Sequence, residues 1–122
     1  MGNPVGWFEI YVQDMARAKA FYQAVFQTEL ARLSADELEM WAFPGDETSY
    51  GTPGALVRMD GCPSGGNSTL VYFSCKDCAV EAGRVAKAGG KVVREKWAIG
   101  EYGFVALALD TEGNMFGLHS MA

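Results

Sequence analysis

The spacing of hydrophobic and polar residues changes along this chain in the same way twice. An alternating stretch from Val5 to Val12 is followed by a helical pattern from Met15 to Phe26. Another strand-like stretch, Thr69 to Cys75, is followed by a helical pattern from Cys78 to Ala88. The pattern predicts a strand and a helix at the start of each half. The apolar positions expected to face inward on the first helix are Met15, Ala18, Tyr22, Val25 and Phe26.

One spacing relates the two halves. Asp14 and Asp77 stand just before the helical patterns, where a carboxylate can cap the first turn, and they are 63 residues apart. Gly54 and Gly117, near the ends of the halves, have the same separation. A constant spacing between matching features indicates a duplicated unit. The sequence therefore predicts one domain over residues 1–122, built from a module of residues 1–62 and a module of residues 63–122.

Weaker strand patterns follow each helical pattern, separated by glycine, proline and aspartate at the turns. The segment from Asp60 to Ser68 is rich in small and turn-forming residues and divides the two modules. The order strand, helix, strand, strand, strand is thus expected twice. The predicted strands are Glu29 to Leu33, Leu38 to Phe43 and Pro53 to Met59 in the first module, and Lys91 to Trp97, Gly103 to Leu109 and Met115 to Met121 in the second.

The composition is that of an ordinary globular protein. Of the 122 residues, 49% are hydrophobic and 20% are charged, and the formal net charge is −5. This negative charge repels phosphate backbones and anionic membrane surfaces, so we expect neither a nucleic acid nor a membrane as partner. The sequence has no secretory signal pattern and no apolar run of about 18 residues. We therefore expect a cytoplasmic protein.

The three cysteines allow two chemical interpretations besides simple packing. Cys75 and Cys78 have the spacing of redox dithiols, which use a helix N-terminus to lower a thiol pKa. Cys62, Cys75, Cys78 and His119 together could supply four zinc ligands. The zinc site is disfavoured because strand alternation places Cys75 and His119 on opposite faces. We favour the interpretation that Cys75 and Cys78 are small core residues.

Two segments carry the pattern of a known family: Trp-Phe-Glu-Ile-Tyr-Val-Gln-Asp-Met-Ala-Arg-Ala-Lys-Ala-Phe-Tyr, from Trp7 to Tyr22, and Asp-Thr-Glu-Gly-Asn-Met-Phe-Gly-Leu-His, from Asp110 to His119. Both resemble the vicinal oxygen chelate superfamily, which contains glyoxalase I, bleomycin-resistance proteins and extradiol dioxygenases. The resemblance implies an α+β fold of two tandem βαβββ modules whose curved mixed sheets form a cup. It also implies a homodimer in a chain of this length. It does not fix the reaction, since one fold can host unrelated chemistries.

The resemblance also implies where metal ligands would stand. Metal-dependent members carry histidine on the first strand and glutamate on the last strand of each module. The first-strand positions fall on Trp7 and Leu70, and the last-strand positions on Gly54 and Gly117. None of these side chains can coordinate a divalent cation. We therefore expect no metal and no cofactor, with a glyoxalase-like enzyme that uses a non-standard metal site as an alternative.

The period of two along a strand predicts which side chains line the cup. These positions are largely aromatic or apolar, which favours a flat or apolar ligand. Two loops are candidate lids: the one with Tyr102 and the segment Asp46 to Gly51. The expected lining residues are Trp7, Glu9, Tyr11, Leu56, Arg58, Leu70, Tyr72, Ser74, His119 and Met121. We expect ligand contacts from Trp7, Tyr11, Arg58, Leu70, Tyr72, Tyr102 and Met121.

Glu9 and His119 are the two candidate catalytic residues. Desolvation between aromatic rings raises the pKa of a carboxylic acid towards neutrality, and histidine titrates there without help. The alternative roles are an ion pair between Glu9 and Arg58 and a purely structural hydrogen bond from His119. No Ser-His-Asp or Cys-His arrangement is indicated by the spacing.

Three functional hypotheses follow. The favoured one is a metal-independent protein, similar to the bleomycin-resistance branch, that binds an aromatic or cationic small molecule in a dimeric cup. The second is a metal-free lyase or isomerase that uses Glu9 or His119 as acid or base. The third is a subunit or regulatory domain that uses the fold for assembly.

Overall fold

The computed structural model describes residues 2–33, 38–46, 48–66, 69–111 and 113–122. Glu47 of the second candidate lid and Asn67 and Ser68 of the linker lie outside them. The chain forms two compact units. The first unit is Trp7–Leu70, and the second unit is Met1–Gly6 together with Val71–Ala122.

The first unit contains one helix and four strands of a mixed sheet. Its strands lie in the order β2-β3-β4-β1, with β1 parallel to β4 and β3 antiparallel to both β2 and β4. The predicted βαβββ order is confirmed, and the observed strands are shorter than the predicted ones by one or more residues. The elements are β1 (Val5–Tyr11), α1 (Met15–Phe26), β2 (Ala31–Leu33), β3 (Glu39–Ala42) and β4 (Ala55–Arg58).

The second unit repeats this arrangement. Its strands lie in the order β5-β8-β7-β6, with β5 parallel to β8 and β7 antiparallel to both β8 and β6. Because the same connections recur, the predicted duplication of a βαβββ module is confirmed. The elements are β5 (Thr69–Ser74), α2 (Cys78–Val85), β6 (Lys91–Ala98), a 3₁₀ turn (Gly100–Tyr102), β7 (Phe104–Leu109) and β8 (Met115–Ser120).

Aspartate caps both helices, as predicted. The Asp14 carboxylate accepts a hydrogen bond from the backbone N–H of Arg17 at 3.1 Å. The Asp77 carboxylate accepts one from the backbone N–H of Ala79 at 3.0 Å and forms an ion pair with Lys96 Nζ at 2.8 Å. The Lys96 hydrogen bond, followed by the bond from Ala79, lowers the pKa of Asp77. These contacts fix where each helix begins.

Each helix covers one face of the strands in its own unit. In the first unit the buried residues on this side are Val12, Met15, Leu30 and Leu56, and in the second unit they are Cys78, Ala82, Ala106 and Leu118. Cys78 is 0% exposed and Cys75 packs against the same cluster. The interpretation of both cysteines as core residues is therefore confirmed.

The predicted inner face of α1 is correct only as far as Tyr22. Met15 is buried, and Ala18 and Tyr22 pack against the core. Val25 and Phe26 are instead 55% and 63% exposed. The helix has apolar residues on more than one side, so its hydrophobic pattern does not select a single face. In the described part of the chain, no helix is long and apolar enough to cross a bilayer.

Candidate functional site

A buried carboxylate lies on the first strand. Glu9 is only 4% exposed. The Tyr11 hydroxyl donates a hydrogen bond to Glu9 Oε1 at 2.7 Å, and the Trp7 indole Nε1 donates one to Oε2 at 3.3 Å. Residues two apart on a strand point to the same side, so β1 brings these three side chains together as its alternation predicts.

The side of the sheet that carries Glu9 is otherwise apolar. In the parallel pairing of β1 with β4, Glu9 lies opposite Ala55 and Tyr11 lies opposite Val57. Residues paired across a sheet point to the same face, and Ala55 and Val57 are both 0% exposed. Glu9 therefore belongs to a face that is buried even though α1 packs against the opposite one.

The expectation that Leu56 and Arg58 share this face is wrong. Leu56 is paired with Ile10 and belongs to the core beneath α1. Arg58 is two residues after Leu56 on β4 and therefore points to the same side of the sheet as Leu56. It is exposed, and its Nε donates a hydrogen bond to the backbone oxygen of Gln13 at 3.1 Å. Arg58 is thus not the partner of Glu9. In place of Leu56 and Arg58, β4 places Ala55 and Val57 on the face that carries Glu9.

The wrong face is predicted because the spacing between matching residues of the last strands, β4 and β8, is one residue shorter than the spacing used in the prediction. Tyr72 is paired with Gly117 in the second unit, and the matching residue of the first unit, Glu9, is paired with Ala55. The counterpart of Gly117 is therefore Ala55, not Gly54. Gly54 has φ +74°, and a Cβ added there would overlap the ring of Phe8. Like glycine, alanine offers no atom that coordinates a metal.

Tyr72 covers the position where a last-strand ligand of the second unit would project. Its side chain is 8% exposed, and a Cβ added at Gly117 would overlap its ring. The glycine therefore allows the aromatic ring to lie directly on β8. Any larger side chain at residue 117 requires Tyr72 to move.

We expect the Gly117→Ala substitution to lower the free energy of unfolding by about 1–3 kcal/mol, the usual cost of overpacking a buried contact. Chemical denaturation measures the change. Gly83→Ala is the matched control: Gly83 lies within α2 with open space around it, so alanine there is expected to stabilise by about 0.5–1 kcal/mol. If Gly117→Ala lowers the free energy of unfolding by the same amount in a Tyr72→Ala protein, the overlap with the Tyr72 ring is not the cause of the loss.

The described residues contain no group of three or more histidine, cysteine, aspartate or glutamate side chains that could hold a metal ion. Cys62, Cys75, Cys78 and His119 all belong to the described part of the chain and do not form such a group. The alternative of a Cys3His zinc centre is therefore not supported.

The redox interpretation of Cys75 is not supported either. Burial, followed by the negative charge of Glu81, raises the pKa of the Cys75 thiol to about 11. Redox-active cysteines have lowered thiol pKa values because the thiolate is the reactive form.

His119 is oriented by a backbone carbonyl. Its Nε2 lies 2.5 Å from the backbone oxygen of Tyr102, the last residue of the 3₁₀ turn. A carbonyl oxygen only accepts, so Nε2 carries the proton and Nδ1 of the neutral ring is left as the basic nitrogen. Tyr102 makes this contact through its backbone oxygen, and its side chain is 42% exposed. The sequence pattern does not reveal this contact.

The remaining predicted site residues differ in exposure. Leu70 on β5 is 2% exposed, whereas Met121, just after β8, is 67% exposed. In the second candidate lid, the Asp46 carboxylate accepts hydrogen bonds from Thr48 and Ser49, which lower the pKa of Asp46 to about 2. These bonds give Asp46 a local structural role. The ligand contacts expected from Leu70 and Met121 stay predictions.

Cys62 is a neighbour of Glu9 that the sequence does not indicate. Burial of its thiol, followed by the negative charge of Glu9, raises the pKa of Cys62. The loop after β4 thus places a thiol within electrostatic reach of the buried carboxylate. No pattern in the loop sequence predicts this proximity.

Comparison with known families identifies the class of protein. Residues 5–118 match the model of the Glyoxalase/Bleomycin resistance protein/Dioxygenase superfamily. The chain therefore belongs to this superfamily, and the resemblance noted in its sequence is confirmed. No match was found among curated protein sequences.

Several solved structures share the fold. A methylmalonyl-CoA epimerase of Streptomyces coelicolor in complex with 2-nitronate-propionyl-CoA has 15% identity and a TM-score of 0.69, with 98% of each chain covered. The Mycobacterium tuberculosis methylmalonyl-CoA epimerase has 15% identity and a TM-score of 0.70, with 98% of this chain and 88% of that chain covered. A hypothetical protein from Bacillus halodurans has 12% identity and a TM-score of 0.71, with coverages of 98% and 95%. At such identities the likeness concerns the fold alone.

Proposed function

We propose that this protein binds an aromatic or cationic small molecule at the Glu9 carboxylate, without a metal ion. The observation that carries the proposal is a carboxylate with 4% exposure that is hydrogen-bonded by the side chains of Trp7 and Tyr11. Attraction between a carboxylate and a cation is stronger away from water because the effective dielectric constant is lower. The flanking rings add stacking and cation–π contacts.

The two hydrogen bonds suggest how a ligand reaches the carboxylate. Trp7 is half-buried, whereas Tyr11 is 6% exposed. The bond from Trp7 is also longer than the bond from Tyr11, 3.3 Å against 2.7 Å. A hydrogen bond weakens with distance, so the indole is the easier group to displace. We infer that a ligand moves Trp7 aside and donates to Glu9 Oε2 in its place.

The side chains at the family's metal-ligand positions support binding without a metal. The positions that correspond to the family's metal ligands are Trp7, Ala55, Leu70 and Gly117 after correction of the register. None has an oxygen, imidazole or thiolate donor in its side chain. Recognition would therefore depend on hydrogen bonds, charge and aromatic contact.

A second candidate is metal-free proton transfer, in an isomerase or lyase. The observation that favours it is the hydrogen bond from His119 to the Tyr102 carbonyl, which orients the ring and leaves Nδ1 as the base. Epimerases are among the proteins of the same fold. Glu9 is the other candidate base. Homodimer formation, a cytoplasmic location and the lack of a nucleic-acid partner stay predictions from the sequence.

A thermal-shift experiment with chelator-treated protein tests the binding proposal. Phenylethylammonium, phenylethanol and phenylacetate place a cation, a neutral group and an anion on one ring. At about ten times its Kd, the cation is expected to raise Tm by about 4–8 °C, because saturation of the folded state adds about 1.4 kcal/mol. The neutral compound should give a smaller shift. An equal response to phenylacetate, or loss of the response on chelation, would overturn the proposal.

A further inference from the structure

Two adjoining depressions form a groove in the first unit, beyond the last residues of β1 and β4. Their volumes are about 340 and 210 Å³, and Gln13 lines both. Small-molecule sites commonly have volumes of about 300–1,000 Å³. We call these two depressions the Gln13 groove. They are lined by neither Trp7, Glu9 nor Tyr11.

One arginine lines each depression. Arg17 lines the larger depression and Arg58 lines the smaller one. The hydrogen bond from Arg58 Nε to the Gln13 oxygen, 3.1 Å long, holds this guanidinium beside the residue that both depressions share. Within the described residues, no ion pair engages either guanidinium, and the terminal nitrogens of Arg58 have no hydrogen-bond partner.

The acidic residues of the groove do not neutralise the arginines by direct contact. Asp14 accepts the capping hydrogen bond from the backbone of Arg17, and Asp60 lies exposed in the smaller depression. The guanidinium groups are thus available to a bound anion. Arginine suits this role because its planar fork can donate two parallel hydrogen bonds to a carboxylate or phosphate.

The larger depression also has an apolar wall. Phe21, from the second turn of α1, lines it and is 59% exposed, and the half-buried Ala18 lies next to it. An exposed aromatic ring beside a cationic group favours a ligand with an apolar body and an anionic end.

The geometry points to a second binding site, in the Gln13 groove, for a small organic anion. A carboxylate or phosphate lies between Arg17 and Arg58, and the apolar body of the ligand packs against Phe21. This site takes a ligand of opposite charge to the one proposed for Glu9. It therefore stands or fails independently of the proposed function.

Cys62 provides a reporter for this groove. It lines the smaller depression, and a bound anion would both cover its thiol and add to the negative charge of Glu9 near it. Cys75 lines neither depression and serves as an internal control. Iodoacetamide labelling at about pH 8, followed by peptide mass spectrometry, gives the rate at each cysteine.

The probes are phenylpropionate, phenyl phosphate and the neutral phenylpropanol. An anion at about ten times its Kd occupies nine sites in ten, so we expect Cys62 labelling to slow by up to about tenfold and Cys75 labelling to stay unchanged. Protection by one anion but not the other supports the site and identifies its anionic group. Equal protection by phenylpropanol, or none by either anion, would overturn the proposal.

Substitutions of arginines inside and outside the Gln13 groove test whether the anion binds to the groove arginines. Arg17→Gln and Arg58→Gln are each expected to raise the concentration for half-protection by about tenfold, the loss of a charge-assisted hydrogen-bonded contact. Arg32→Gln removes an exposed arginine of the same unit that does not line the groove, and should leave protection unchanged. Unchanged protection in both groove variants would show that the arginines bind no anion.

Discussion

Replacement of Leu56 by alanine is expected to lower the free energy of unfolding by about 2–5 kcal/mol, the range for a large-to-small change in a packed core. Leu56 is 0% exposed and packs with Val12, Met15 and Leu30 beneath α1. Truncation removes apolar contacts and leaves a cavity that its neighbours fill only in part. Urea denaturation with an unchanged m value measures the loss.

The same variant also tests on which face Leu56 lies. Because Leu56 is on the helix side of β4, a folded Leu56→Ala protein should keep its affinity for a ligand at Glu9. Val25→Ala is the control, since Val25 is 55% exposed and its truncation should change stability by less than about 0.5 kcal/mol. Weaker ligand binding by folded Leu56→Ala, with stability almost unchanged, would place Leu56 in the ligand site instead.

The Glu9→Gln substitution is expected to weaken the binding of phenylethylammonium at least about tenfold. Glutamine has nearly the same shape and can exchange hydrogen bonds with Trp7 and Tyr11, but it lacks the charge. Hydrogen bonds to charged groups contribute about 1.5–3 kcal/mol, and each 1.4 kcal/mol is about tenfold in affinity. The concentration dependence of Tm gives the affinity of each variant.

Glu39→Gln is a closely matched control for Glu9→Gln. The Trp41 indole donates a hydrogen bond to Glu39 Oε2 at 3.0 Å, so another tryptophan and glutamate two residues apart are joined in the same way. Glu39 is paired with Arg58 and Trp41 with Leu56, which places this pair on the opposite face from Glu9. Binding should be unchanged in Glu39→Gln. Equal weakening in both variants would indicate that overall negative charge, not Glu9, attracts the cation.

The sequence predicts the elements that depend on local interactions. Asp14 and Asp77 correctly mark the residue before each helix, because a capping carboxylate contacts amides only a few residues away. The group formed by Trp7, Glu9 and Tyr11 is also predictable, since all three lie on one strand and strand alternation is strict.

The sequence does not predict the face of β4. The matching spacing of Gly54 and Gly117 predicts a register that is one residue out of place, and a shift of one residue turns every side chain of a strand to the other face. This register therefore predicts the wrong face for Arg58. Only the pairing of Glu9 with Ala55 fixes the correct alignment.

The hydrogen bond of His119 and the proximity of Cys62 to Glu9 are also not predictable from sequence patterns. His119 bonds to the backbone oxygen of Tyr102, and every residue has such an oxygen. Cys62 comes near Glu9 through the path of a loop. Backbone acceptors and loop paths leave no periodic signal, so both arrangements are visible only in the folded structure.

The most direct test of binding at Glu9 is a crystal structure of the protein with phenylethylammonium, grown in the presence of a chelator. We predict an ammonium nitrogen about 2.7–3.2 Å from a Glu9 carboxylate oxygen and a Trp7 indole moved from its place beside Oε2. A ligand bound elsewhere, with the hydrogen bonds from Trp7 and Tyr11 to Glu9 intact, would contradict it.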